Sequence, residues 1–233
     1  MASSAQSHAG HHHCATQRRP DTRLRVGTNG RIPRWKRGST VTYIVRTESF
    51  PNPDMAAYTT GKLVEAVSMW EDKGVKFQLV YRTCKATFQV VYQPADNHPD
   101  VYAEAFFPNN DSPTKRTLIV YGLALKAGNR RYLANIFAHE LGHIMGLRHE
   151  FAARSDSEET GSVLWGKEND SSIMNYPDML SKLRVQKQDL DELESFYEST
   201  EKKHEELAIR ELKPPTFRYR RNRRTSCYGA RPS

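Results

Sequence analysis

Apolar residues recur along this chain with two periods, and each period predicts a different element. Val41-Thr42-Tyr43-Ile44-Val45 is β-branched and aromatic, the composition of a strand. Asn52-Pro53-Asp54 then supplies a polar cap, a proline in the first turn and an early acid, which start a helix. Leu63, Ala66, Val67 and Trp70 follow at helical spacing, so 54–72 reads as a helix with one buried stripe, ended by Lys73-Gly74. Alternation of Phe77, Leu79 and Tyr81, then of Phe88, Val90 and Tyr92, predicts strands over 76–82 and 86–92. Beyond the turn-rich stretch from Gln93 to Pro99, Val101 to Phe107 reads as a short strand stopped by Pro108-Asn109-Asn110. Thr117 to Tyr121 is a compact apolar strand. A long helix from about Arg131 turns Leu133, Ile136, Phe137 and Leu141 to the core, 151–171 is polar and irregular, and a last helix over 184–199 buries Leu190, Leu193, Phe196 and Tyr197. The expected class is therefore α+β, with no internal repeat.

Composition changes this picture at the ends. With 37% hydrophobic residues and a mean hydropathy of −0.74, the chain of 233 residues is polar for one that folds throughout. Residues 1–37 hold eight Lys/Arg against one acid and 213–233 hold seven against none, which leaves 38–212 at −6. The sequence thus predicts three parts: a basic disordered segment over 1–37, a folded body over 38–199 and a basic tail over 200–233. Arg/Tyr interleaving in the tail is compatible with nucleic acid, but no recognition fold accompanies it, so nucleic-acid binding is not expected. No apolar run approaches the ~20 residues of a membrane span, and no membrane partner is expected. The N-terminal stretch lacks the apolar core of a signal peptide, so the sequence as written shows no secretion address. Cys14, Cys84 and Cys227 are odd in number and far apart, which fits free thiols better than a disulfide framework.

The candidate chemistry lies in HELGHIMGLRHE, from His139 to Glu150. Residues four apart share a helix face, so His139 and His143 can direct both imidazoles at one metal ion. Glu140 sits beside them, placed to act on a water at that ion without being a ligand. In a continuing helix His149 would lie too far along the axis to join them. Gly146 can take the left-handed conformation that ends a helix and lets His149 swing back as a third ligand. Three protein ligands leave a zinc ion one open position. His11-His12-His13 can also bind metal loosely, but they lie in the segment expected to be unstructured.

This motif, H-E-x-x-H-x-x-G-x-x-H, together with Ser172-Ile173-Met174-Asn175-Tyr176 downstream, resembles the metzincin metallopeptidases, in which a methionine turn underlies the metal site. The resemblance implies an α/β sandwich-like catalytic domain over 38–199. It would comprise a mixed twisted sheet, two long helices including the active-site helix, and a small, mostly irregular C-terminal lobe ending in a helix, with lobes at 38–146 and 147–199. It also implies Met174 as the structural turn methionine. Arg34-Trp35…Gly38, Glu150 directly after the third histidine, and Tyr176 two past the methionine look astacin-like. In that subfamily the tyrosine stabilises the transition state and the glutamate pairs with a trimmed N-terminus, for which Arg18-Arg19 and Lys36-Arg37 offer dibasic points. Yet Arg154 and Asp156 stand one residue later than the astacin spacing. Tyr102-Ala103-Glu104-Ala105-Phe106-Phe107-Pro108 looks like the cleft-lining edge strand of matrixins, with Glu104 where they place a histidine for a second zinc. HHHCATQRRPD around Cys14 does not match the matrixin latency motif. One catalytic zinc is expected, and both subfamilies stay open.

The function these residues predict is zinc-dependent hydrolysis of internal peptide bonds in proteins or peptides by a monomer. The metal would sit on His139, His143 and His149, with Glu140 as general base and Tyr176 assisting. The alternative is a catalytically inactive zinc-binding or interaction protein on the same scaffold. Location is open between a secreted protein, as the resemblance implies, and an intracellular one if the start is complete. Substrate preference is expected to follow from loops near 151–171 and 176–185.

Overall fold

The computed structural model describes residues 25–27, 30–81, 84–149, 163–167, 169–175 and 179–219. Strands β1 (Arg25–Val26), β2 (Arg31–Trp35) and β3 (Thr40–Val45) precede helix α1 (Pro53–Met69). Strands β4 (Lys76–Leu79), β5 (Phe88–Gln93), β6 (Ala103–Glu104) and β7 (Thr117–Tyr121) lead to helix α2 (Leu133–Ile144). Strands β8 (Leu147–Arg148) and β9 (Val163–Leu164), helix α3 (Lys187–Glu198) and strands β10 (Lys203–His204) and β11 (Leu207–Leu212) complete the order. The α+β class expected from the sequence is the one observed.

The main sheet runs β4-β3-β5-β7-β6. β3 pairs in parallel with β4 and β5, and β5 with β7, while β6 alone is antiparallel, at the edge. α1 is the crossover that parallel β3 and β4 require. It starts where the sequence predicts: Asn52 Oδ1 accepts from the Met55 amide at 2.9 Å, and Pro53 opens the first turn. Its buried face is Ala56, Thr59, Leu63 and Ala66, every third or fourth residue. α1 ends at Met69 rather than at 72 because Glu71 and Asp72 take left-handed φ of 50° and 57°. Val41, Tyr43, Phe88, Val90, Leu118 and Val120 from the strands join Leu63, Phe137 and Leu141 from the helices in one buried cluster. Each such side chain contributes roughly 1.5–3 kcal/mol by leaving water.

Two expectations need correction. The strand predicted over 101–107 shrinks to Ala103–Glu104. Past it, Phe106 packs against Phe88 at 5.6 Å and Phe107 against His143 at 5.5 Å. Seating those rings, Phe106 buried and Phe107 half-buried, draws the chain off the β7 ladder.

The ends assigned by charge to disordered tails also contribute structure. β2, inside the expected N-terminal segment, pairs in parallel with β11, inside the expected C-terminal tail, over five residues. Ile32 and Trp35 are fully buried there. Arg34 donates to the carbonyls of Phe196 and Ser199 and pairs with Glu211 at 2.8 Å. The chain then returns to the main sheet: Phe217 bridges Ala86, the Arg116 guanidinium lies 4.6 Å over the Phe217 ring, and Tyr219 donates to the Thr87 carbonyl at 2.9 Å. A strand in a small sheet needs only some apolar positions, so Leu207, Ile209 and Leu212 anchor β11 while Arg210 and Glu211 stay exposed. Charge counting conceals such strands. Among the described residues, no helix is long and apolar enough to cross a membrane.

Candidate metal centre

α2 is no ordinary amphipathic helix. All of its residues except Asn135 are buried, including His139, Glu140 and His143. Burying ionisable groups costs several kcal/mol unless something compensates them. Part of the compensation is visible. The Ile173 carbonyl accepts from His139 Nδ1 at 2.7 Å, and the Leu147 carbonyl accepts from His143 Nδ1 at 2.9 Å. A carbonyl cannot donate, so in both neutral rings the proton is on Nδ1 and the lone pair is on Nε2.

The third ring arrives as the glycine argument requires. α2 stops at Ile144, and Gly146 adopts φ +101°. A side chain there would also meet the Pro33 carbonyl, with a Cβ only 2.6 Å from its oxygen. β8 then carries the chain back, and His149 Nε2 lies 3.0 Å from His139 Nε2 and 3.1 Å from His143 Nε2. One proton on His149 can serve one of these contacts, not both. Burial holds all three imidazoles neutral: His139 is pushed down to about 4, and His143 and His149 lie well below the usual range, with the neighbouring histidines adding to the effect. Converging lone pairs repel unless a cation sits among them. A tetrahedral zinc with bonds of 2.0–2.1 Å separates its ligand nitrogens by roughly 3.3 Å, within a few tenths of an ångström of the spacing seen. The donor set therefore fits a divalent metal, and it is the group found among the described residues with ligand atoms close enough to share one.

The surroundings fix the rings. Ile173 N donates to Asp189 Oδ2 at 3.1 Å, and Gln186 N donates to the same oxygen at 2.7 Å. Asp189 is almost fully buried, and burial raises its pKa against these donors. One carboxylate thus starts α3 and anchors the turn whose carbonyl orients His139. Met174 is fully buried beneath Gly142. A Cβ at Gly142 would collide with the Met174 sulfur. The C-terminal carbonyls of α2 are capped from outside: Trp35 Nε1 donates to Ile144 at 2.7 Å and the Tyr197 hydroxyl to Met145 at 2.9 Å. Tyr121 donates to Glu104 at 3.1 Å, and burial together with the charges of Glu104 and Glu140 holds this hydroxyl far above its ordinary pKa.

The structure thus brings together His139, His143 and His149, sets Glu140 beside them in the same helix, and seats Met174 below. Tyr176, Glu150, Arg154, Asp156, Cys14, Cys227, Arg18-Arg19 and His11-His12-His13 lie outside the described residues. Cys84 is an exposed free thiol. Lys36 and Arg37 form the turn between β2 and β3. Gly142 and Trp35 act on the site in ways the sequence motif does not reveal, because their partners are remote in the chain.

Comparison with known proteins extends this geometry. Residues 19–162 match the family model described as dual-action HEIGH metallo-peptidase, and residues 126–209 match that of Met-zincin. No curated protein matches the sequence. A structure of myroilysin has a TM-score of 0.53 at 12% identity, covering 76% of this chain and 99% of that one. A crystal structure of myroilysin gives 0.50 at 14%, covering 71% and 86%. At such identities the likeness is one of fold. The metzincin resemblance holds, while neither match separates the astacin-like from the matrixin-like reading. The HEIGH model spans well over half of the sequence, including His139-Glu140-Leu141-Gly142-His143, and the chain belongs to the dual-action HEIGH metallo-peptidase family.

Proposed function

We propose that this protein is a zinc-dependent endopeptidase. The observation that carries the proposal is the convergence of three buried, neutral imidazoles on one point, with a buried glutamate next to the first of them. His139, His143 and His149 would hold the ion. When bound, zinc polarises the scissile carbonyl and lowers the pKa of water from 15.7 to about 7. Glu140 takes the proton of the attacking water as general base and passes it to the leaving amine nitrogen as the C–N bond breaks. Its burial keeps bulk water from competing for that proton. Tyr176 donates to the oxyanion of the tetrahedral intermediate. Met174 packs beneath the ligands. Among the described residues β6 ends the main sheet, a position that suits an extended protein or peptide substrate that adds a strand.

A peptidase assay on parent, Glu140→Gln and His143→Ala, each with metal analysis, tests this reading. The parent should cleave casein, and a chelator should stop it reversibly. Glu140→Gln should keep the metal and lose cleavage, and His143→Ala should lose both. A Glu140→Gln protein that cleaves as fast as the parent contradicts the mechanism, and a parent that binds zinc without cleaving anything favours the inactive scaffold. Tyr176→Phe should slow turnover at unchanged metal content, and an unchanged rate removes Tyr176 from the chemistry.

A further inference from the structure

The strand that leads from the helix end to the third histidine is partnered by the opposite end of the chain. Among the described residues β8 pairs only with β1, in a sheet of order β8-β1-β9. Arg25 faces Arg148 and Val26 faces Leu147 on one side; on the other, Arg25 faces Leu164 and Val26 faces Val163. Val26 is fully buried and belongs to the same core cluster as Leu147 and Val163. Just beyond the ladder, Arg148 Nη1 donates to the Gly27 carbonyl at 2.6 Å. The Arg148 guanidinium lies 5.7 Å over the Phe107 ring, and that ring meets His143 edge-on at 5.5 Å.

β8 is two residues long and lies between Gly146 and His149. A strand of that length has no stability of its own. It nevertheless performs two tasks at the site. Its Leu147 carbonyl orients His143, and its last residue precedes His149. If β1 left, β8 and β9 would lose the strand between them and the pocket of Val26 would open. The backbone that sets two of the three imidazoles would relax.

We infer that β1 is a positioning element of the metal site, so that insertion of residues 25–27 and metal binding at His139, His143 and His149 stabilise each other. The inference rests on the metal reading above. Coupling of this kind is reciprocal: what β1 does for the metal, the metal does for β1. The segment therefore acts as a clasp. Its local opening, or cleavage that frees it, lowers metal affinity although no ligand has been touched.

The test uses the full chain as the parent and as Val26→Asp and Val26→Ile. Zinc affinity is measured by competition with a chromophoric chelator, and folding by near-ultraviolet circular dichroism. Hydrogen exchange is followed over residues 25–27 and 147–148 with and without zinc, with the β3–β4 ladder as internal control. Val26→Asp should weaken zinc binding at least tenfold, and Val26→Ile should stay within twofold of the parent. Zinc should slow exchange over 25–27 in the parent and leave the β3–β4 ladder unchanged. A folded Val26→Asp protein with the parent's affinity overturns the inference, as does zinc binding that leaves exchange over 25–27 unmoved. Should Val26→Asp not fold, Val26→Ala replaces it, and the exchange measurement needs no variant. A parent that takes up no zinc overturns the metal reading and this inference with it; a parent that takes up zinc without protecting β1 overturns this inference alone.

Discussion

α2 and α3 are both twelve residues long, yet they are held in opposite ways. α3 carries its own instructions. Gln186 and Asp189 form a capping box, Leu193, Phe196 and Tyr197 make one buried stripe, and the charged residues other than the buried Asp189 lie toward solvent. Its exposed side is tied by Lys187–Asp191, Lys73–Glu194 and Arg37–Glu198 pairs. α2 has no side-chain cap at its start and is buried on nearly every side. Trp35, Trp70 and Tyr197 hold it by donating to its carbonyls. Polar side chains on α3 are therefore mostly solvation, whereas polar side chains on α2 are retained at a cost. A helix that buries two histidines and a glutamate is built for what they do.

The largest expected effect breaks function without breaking the helix. Glu140→Gln should lower peptidase turnover by about 10²–10⁴-fold, the usual contribution of a general base, with the helix still folded as read by far-ultraviolet circular dichroism. Loss of folding in this variant would place Glu140 with the structural residues and erase the contrast between the helices. Next comes Gly142→Ala. Alanine is the better helix former by about 1 kcal/mol, but its Cβ runs into Met174. Overpacking of this kind costs about 1–3 kcal/mol, so the melting temperature should fall. A rise would show that Met174 does not pack tightly beneath Gly142.

The pH dependence of the metal-free protein sharpens the comparison further. The three imidazoles of the site have folded-state pKa values below their unfolded values, His139 at about 4. Below about 6.5 the unfolded chain binds protons that the folded chain refuses. Stability should therefore drop as pH falls from about 6.5, with the His139 contribution to the fall complete near 4. Denaturant midpoints at pH 7.5 and 5.5 check this, and equal midpoints contradict the buried, neutral assignment. The smallest effect belongs to α3: Lys187→Ala removes an exposed pair and should change stability by no more than about 0.5 kcal/mol.

What the sequence reveals about this molecule follows the range of the interactions. Thr117–Tyr121 is predicted residue for residue, and α1 and α3 nearly so, because alternation, stripes and caps are local. The convergence of His139, His143 and His149 is legible because a helix face and one glycine bring it about within eleven residues. β2 and β11 escape detection because each is completed by a partner some 177 positions away, as Arg34 is by Glu211. The same holds for Gly142, whose constraint is a methionine in a distant turn, and for β1, whose buried Val26 reads as part of a basic tail.

X-ray absorption at the zinc edge of the purified, catalytically competent protein tests the central claim most directly. The account predicts one zinc per chain, with three imidazole nitrogens at about 2.0–2.1 Å and one oxygen donor. A first shell containing sulfur, or one that still shows three imidazoles after His149→Ala, would contradict it.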